Sequence, residues 1–249
     1  MNRLLALTVA LLLGVACNPG RDQSLRDAGE RGGAALTEKE AAVPEPQFRK
    51  HLQLGYGFEV KAGGYEQLGH LETYTRVVVS RNGKEVFKDS SLTEYTFSHK
   101  SYPEVMPAGP EAFELLLQVN DRPNPDYLRW VRIERNALTK TGELPLFIGE
   151  AADLDGDKAL ERAGYWGGGE VWGENYRLTA YNPILYYETS PGGLRLDSAL
   201  TRAKNRAIYG EFHGFDFSQA IPVPAARLEN FDQEVSRIEA SAIPAKTGF

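Results

Sequence analysis

A single cysteine, Cys17, serves a chain of 249 residues. No internal disulfide can contribute, so the core must hold by packing or by a bound ion. The four histidines His51, His70, His99 and His213 are scattered, without the His-x-His or H-E-x-x-H spacing that builds a zinc site locally. No G-x-S-x-G elbow surrounds a serine, so a covalent hydrolase has no visible nucleophile. Neither a G-x-G-x-x-G run nor a Gly-Lys-Ser/Thr ending is present, which leaves nucleotide binding without support. Lys and Arg number 28 against 34 Asp and Glu, for a net charge of −6, and no basic block exists to neutralise phosphates. Nucleic acid is therefore not an expected partner. Long apolar runs are missing too: none approaches the ~20 residues of a spanning helix.

What is present begins with the leader. Arg3 precedes the mainly apolar run Leu4 to Leu13, and then come Gly14-Val15-Ala16-Cys17. A positive start, a short apolar stretch and small residues before a cut make a secretory signal. Cys17 directly after that cut resembles the lipobox of bacterial lipoproteins, although Gly14 stands where the lipobox usually has Leu. The resemblance implies lipidation of Cys17 and a partner membrane reached through acyl chains, with the folded part outside the cytoplasm. Asn18 is not the Asp of an inner-membrane retention signal, which leans towards the outer membrane of the cell envelope. Residues 1–17 are thus expected as signal peptide. Residues 18–46, rich in glycine and charge and ending Pro44-Glu45-Pro46, are expected as a flexible tether.

From 47 to 249 the pattern predicts one mainly β domain. Val77-Val78-Val79, Asn82-Gly83 and Val86-Phe87 describe a hairpin whose turn needs positive φ at both central residues. Tyr56 to Lys61, the stretch from Thr93 to Phe97, Phe113 to Val119, Tyr127 to Ile133, Leu144 to Ile148, Val171 to Tyr181, Ile184 to Thr189 and Leu194 to Leu196 read as further strands. The proline-rich passage Tyr102 to Pro110 reads as a break, and Asn120 to Asp126 as a loop. Strands roughly every ten residues between Gly, Pro and Asn turns predict an antiparallel sandwich, barrel or propeller-like sheet. No internal repeat recurs, which counts against a full propeller. Ser198 to Ala207 reads as a short helix capped by Asp197. Ala225 to Ala240 reads as a C-terminal amphipathic helix with Leu228, Phe231, Val235 and Ile238 on one face.

The segment Asp153-Leu154-Asp155-Gly156-Asp157-Lys158-Ala159-Leu160-Glu161 gathers four carboxylates. Calcium takes six to eight oxygen ligands, and a tight turn can bring alternate carboxylates to one point. Gly156 lets such a turn tighten. The EF-hand pattern does not fit, because Lys158 and Gly164 occupy the positions that require Gly and Glu. The shorter form D-x-D-G-D-x-x-x-[DE] does fit, and it resembles the calcium loops of integrin-type (FG-GAP and VCBS) β repeats. The resemblance implies a structural calcium held by Asp153, Asp155, Asp157, the carbonyl of Ala159, and Glu161. Lys158 departs from the Gly usual there and places a cation beside the ion. The alternative is a solvated acidic turn.

Downstream, Tyr165-Trp166-Gly167-Gly168-Gly169-Glu170-Val171-Trp172 mixes aromatics with glycines. Trp166 and Trp172 are either core residues or a platform for sugar rings. A non-catalytic envelope protein with a glycan or protein partner is the expected class. Its rival is an envelope hydrolase acting on glycans or peptides. A deep cleft lined by two carboxylates and aromatic rings would favour the rival; a smooth sheet with the acids on one loop would favour the first.

Overall fold

A computed structural model describes residues 47–167 and 170–241. The leader, Cys17 and the 18–46 segment lie outside the described residues. Strands β1 (Phe48–Gln53), β2 (Phe58–Leu68), β3 (Leu71–Arg81) and β4 (Lys84–Asp89) pair antiparallel in sequence order. The β3–β4 turn is the expected one, with Asn82 at φ +50° and Gly83 at φ +79°. The two-residue β5 (Glu94–Tyr95) bridges two halves of one sheet, since Tyr95 faces Tyr74 on β3 and Val119 on β7 (Ala112–Asn120). The second half adds β6 (Glu104–Gly109), β8 (Tyr127–Glu134) and β9 (Ala137–Pro145) around β7.

The two halves pack face to face. Phe113, Leu115, Leu117 and Val119 of β7 share a buried core with Val60, Val77 and Val79 of β2 and β3. Of the three forms expected, the sandwich is the one observed: among the described residues the sheet runs from β1 to β9 without closing. The other face of β7 is buried as well. Leu116 packs with Leu128, Leu185 and Tyr187, the last two on β13 (Leu185–Ser190). β13 belongs to a three-stranded sheet with β10 (Leu160–Gly164) and β14 (Gly193–Leu196). A last sheet joins β11 (Val171–Trp172), β12 (Leu178–Tyr181) and β15 (Ser218–Pro224). Helices α1 (Ser198–Tyr209) and α2 (Leu228–Ser241) cover the far face of β13 through Tyr186, Ile208, Phe231 and Ile238.

Burial of β7 on both faces puts a charge in the interior. Glu114 is fully buried, and it is held by Arg132 Nη1 at 3.0 Å and the Leu194 N–H at 2.8 Å. The second contact ties the β13–β14 turn to the sandwich. Gln118 and Asn120 on the same face donate to Asp126 and Glu94, at 2.8 and 2.7 Å. Each of these side chains thus finds a partner, although Gln118 Oε1 is buried without one.

α1 begins as expected, with Asp197 Oδ1 accepting from the Leu200 N–H at 2.8 Å, and Gly210 at φ +84° ends it. Three local expectations are corrected. Tyr102 to Pro110 is not a break but holds β6, an edge strand whose Pro107 is tolerated because β6 pairs only with β7. The strand expected at Leu144 to Ile148 is β9, which lies mostly earlier. Val171 to Tyr181 divides into β11 and β12, because Asn175 and Tyr176 take positive φ and reverse the chain. No helix of the described residues is long and apolar enough to cross a membrane.

Candidate functional site

The acidic segment forms a loop closed at its base. Ala152 and Glu161 exchange backbone hydrogen bonds of 3.0 and 2.8 Å, so residues 153–159 form a loop that leads into β10. Inside it, short carboxylates fold back onto the chain. Asp153 Oδ1 accepts from the Gly156 N–H at 2.6 Å and its Oδ2 from the Lys158 N–H at 3.1 Å. Asp155 accepts from the Asp157 N–H at 3.1 Å, and Asp157 from the Ala159 N–H at 2.7 Å. Such turns are what Asp offers at tight reversals.

Three carboxylates converge. Oxygens of Asp153, Asp155 and Glu161 lie within 4.8 Å of one another. Asp157 is outside this trio, turned to Ala159. The two aspartates are exposed, whereas Glu161 is only 1% exposed and accepts from the Leu154 N–H at 2.8 Å. Burial pushes the Glu161 carboxyl up from its ordinary pKa; the Leu154 N–H opposes this, and the charges of Asp155, Asp157 and Asp153 add to it. The donor set, all oxygen and all anionic, suits a hard divalent cation such as calcium. Lys158 sits at φ +76°, in the left-handed region where a side chain costs about 1 kcal/mol or more. That conformation gives a physical reason for the glycine found at this position in loops of this type.

Trp166 and Trp172 lie elsewhere, both lining a cleft of about 800 Å³. Both are half-buried. Trp166 packs one side on the core around Leu116 and Leu128, and its ring centroid lies 6.5 Å from that of Tyr127. It is therefore both a core residue and a wall residue. Tyr127 and Glu143 come from β8 and β9, whereas Trp172, Ala180 and Phe217 come from the β11–β12–β15 side. The rim carries Asp121, Glu143 and Glu170, all exposed, and no Lys, Arg or His lines the cleft among the described residues. Glu143 makes an ion pair of 3.2 Å with Arg129 Nη1.

Gly167 fixes the tryptophan wall. Its N–H donates to Asn182 Oδ1 at 3.1 Å and its C=O accepts from Asn182 Nδ2 at 2.9 Å. A Cβ on Gly167 would fall inside the contact radius of the Phe217 ring, so only glycine allows the approach. The aromatic–glycine run signalled this wall in the sequence. Asp121, Tyr127 and Glu143 carried no such signal, because a loop and the pairing of β8 with β9 bring them to the cleft.

Comparison with protein-family models, with curated proteins and with solved structures returns no match for this chain.

Proposed function

We propose that this chain is a glycan-binding protein of the cell envelope, exported and held to a membrane by a lipid on Cys17. A calcium ion at Asp153, Asp155 and Glu161 clips the loop before β10 and stabilises the folded state only. The observation that carries the binding role is the 800 Å³ cleft lined by the half-exposed rings of Trp166, Trp172 and Tyr127. Its volume falls in the range of small-ligand sites. Indole and phenol rings offer apolar faces with polar edges, the surface that a sugar ring, apolar on its face and hydroxylated around it, can stack upon. Three rim acids without a lining cation favour neutral or amino sugars over acidic ones.

A second reading, a glycan hydrolase, is the one expected from a cleft lined by carboxylates and aromatic rings, since hydrolysis uses an acid and a base or nucleophile flanking the bond. The exposure of Asp121, Glu143 and Glu170 argues for binding instead. A general acid needs a desolvated seat, and the Glu143 side chain is 50% exposed and engaged with Arg129.

A glycan array of neutral, amino and acidic oligosaccharides separates these outcomes. Retention of intact neutral or amino glycans supports the binding role. Retention of none overturns it, and shortening of the bound glycan replaces it with the hydrolase.

A further inference from the structure

A second cavity of about 450 Å³ adjoins the cleft, and the two share Pro125, Gly167 and Ala180 as a common wall. Gly167 and Ala180 are buried in that wall, with the Phe217 ring against Gly167, while Pro125 is an exposed loop residue. Along the same segment, Trp166 lines the cleft and its neighbour Tyr165 lines the second cavity. One stretch of chain thus supplies an aromatic ring to each space. Asp232 and Leu228 of α2 close the far side of the second cavity. Asp232 is exposed, and no Lys, Arg or His lines this space among the described residues, so the charge character continues from one cavity to the next.

We propose that the two cavities form one extended site for an oligosaccharide chain, with rings against Trp166 and Trp172 and further rings passing over Pro125 to reach Tyr165 and Asp232. This rests on the glycan reading of the cleft. A chain that spans both cavities buries more of its surface than one confined to the first, so affinity grows with length until both are filled.

The test is calorimetric titration of the full chain with β-1,4-linked N-acetylglucosamine and β-1,4-linked glucose oligomers of two, four and six rings. The expected result is at least tenfold tighter binding of the hexamer than of the dimer in one series. Asp232→Arg and, separately, Leu228→Trp should bring the hexamer to the affinity of the dimer while leaving the dimer unchanged. Equal affinity at all lengths overturns the extended site and leaves the cleft as a short-ligand pocket. Length dependence that survives in both variants also overturns it. Binding by neither series at any length overturns the glycan reading itself, and this inference with it.

Discussion

The side-chain amide of Asn182 satisfies both backbone groups of Gly167, accepting from its N–H at 3.1 Å and donating to its C=O at 2.9 Å. Asn182 is itself buried and follows β12, so the pair anchors the Trp166 segment to the sheet beside the cleft. Asn182→Leu removes both partners from a buried peptide, and each orphaned group costs about 1 kcal/mol or more. The melting temperature should fall and glycan affinity with it. Gly167→Ala should do the same by displacing Phe217. Unchanged melting and binding in both variants would contradict the anchoring role.

The acidic loop gives a second expectation. Calcium added after chelation should raise the melting temperature, and Asp155→Ala should abolish the rise. Lys158→Gly relieves a left-handed side chain and removes a positive charge from the loop. It should stabilise the calcium-free protein by about 1 kcal/mol and tighten calcium binding. Differential scanning calorimetry with and without the ion measures all three. A melt indifferent to calcium in every protein would leave the loop as an acidic turn.

Glu234 ties α2 to β13 and α1. Its carboxylate accepts from Tyr186 Oη at 2.6 Å and from Arg237 at 2.7 and 2.9 Å, with Lys204 Nζ 3.5 Å away. Burial alone would raise its pKa, but the hydrogen bonds from Arg237 and Tyr186 and the charge of Lys204 outweigh it and hold the carboxyl below its ordinary value. The folded state therefore binds this proton more weakly than the unfolded state. The stability it contributes is present above the unfolded pKa and disappears as pH falls through the folded one. Glu234→Gln should cost about 2 kcal/mol at pH 7, and the difference from the parent should shrink as pH drops below about 4. Urea unfolding at several pH values checks this; a constant difference would refute it.

At the N-terminus, Cys17→Ser should release the protein from the membrane fraction into the soluble one. Membrane partitioning that does not change on this substitution would remove the lipid anchor from the account.

Legibility in the sequence followed the physics of each element. The Asn82-Gly83 hairpin and the Phe113 to Val119 run were readable because turn chemistry and dense apolar content are local signals. β6 and β15 were not, because both are edge strands carrying prolines, which also mark loops. In the acidic loop the spacing located three converging carboxylates, but not that Asp157 would turn to Ala159. Trp166 and Trp172 were legible as a pair with two readings, and their half-burial serves both. The rest of the cleft depends on Tyr127 and Glu143 meeting residues distant in sequence, and tertiary closure of that kind leaves no periodic trace.

Tryptophan emission tests the central claim most directly, since two of the three tryptophans, Trp166 and Trp172, line the cleft. Titration with the hexamers of β-1,4-linked N-acetylglucosamine and glucose should give a saturable change with at least one of them. That change should vanish in the Trp166→Phe, Trp172→Phe double variant. Emission that stays constant with both hexamers, or a change that persists in the double variant, would contradict a glycan site in this cleft.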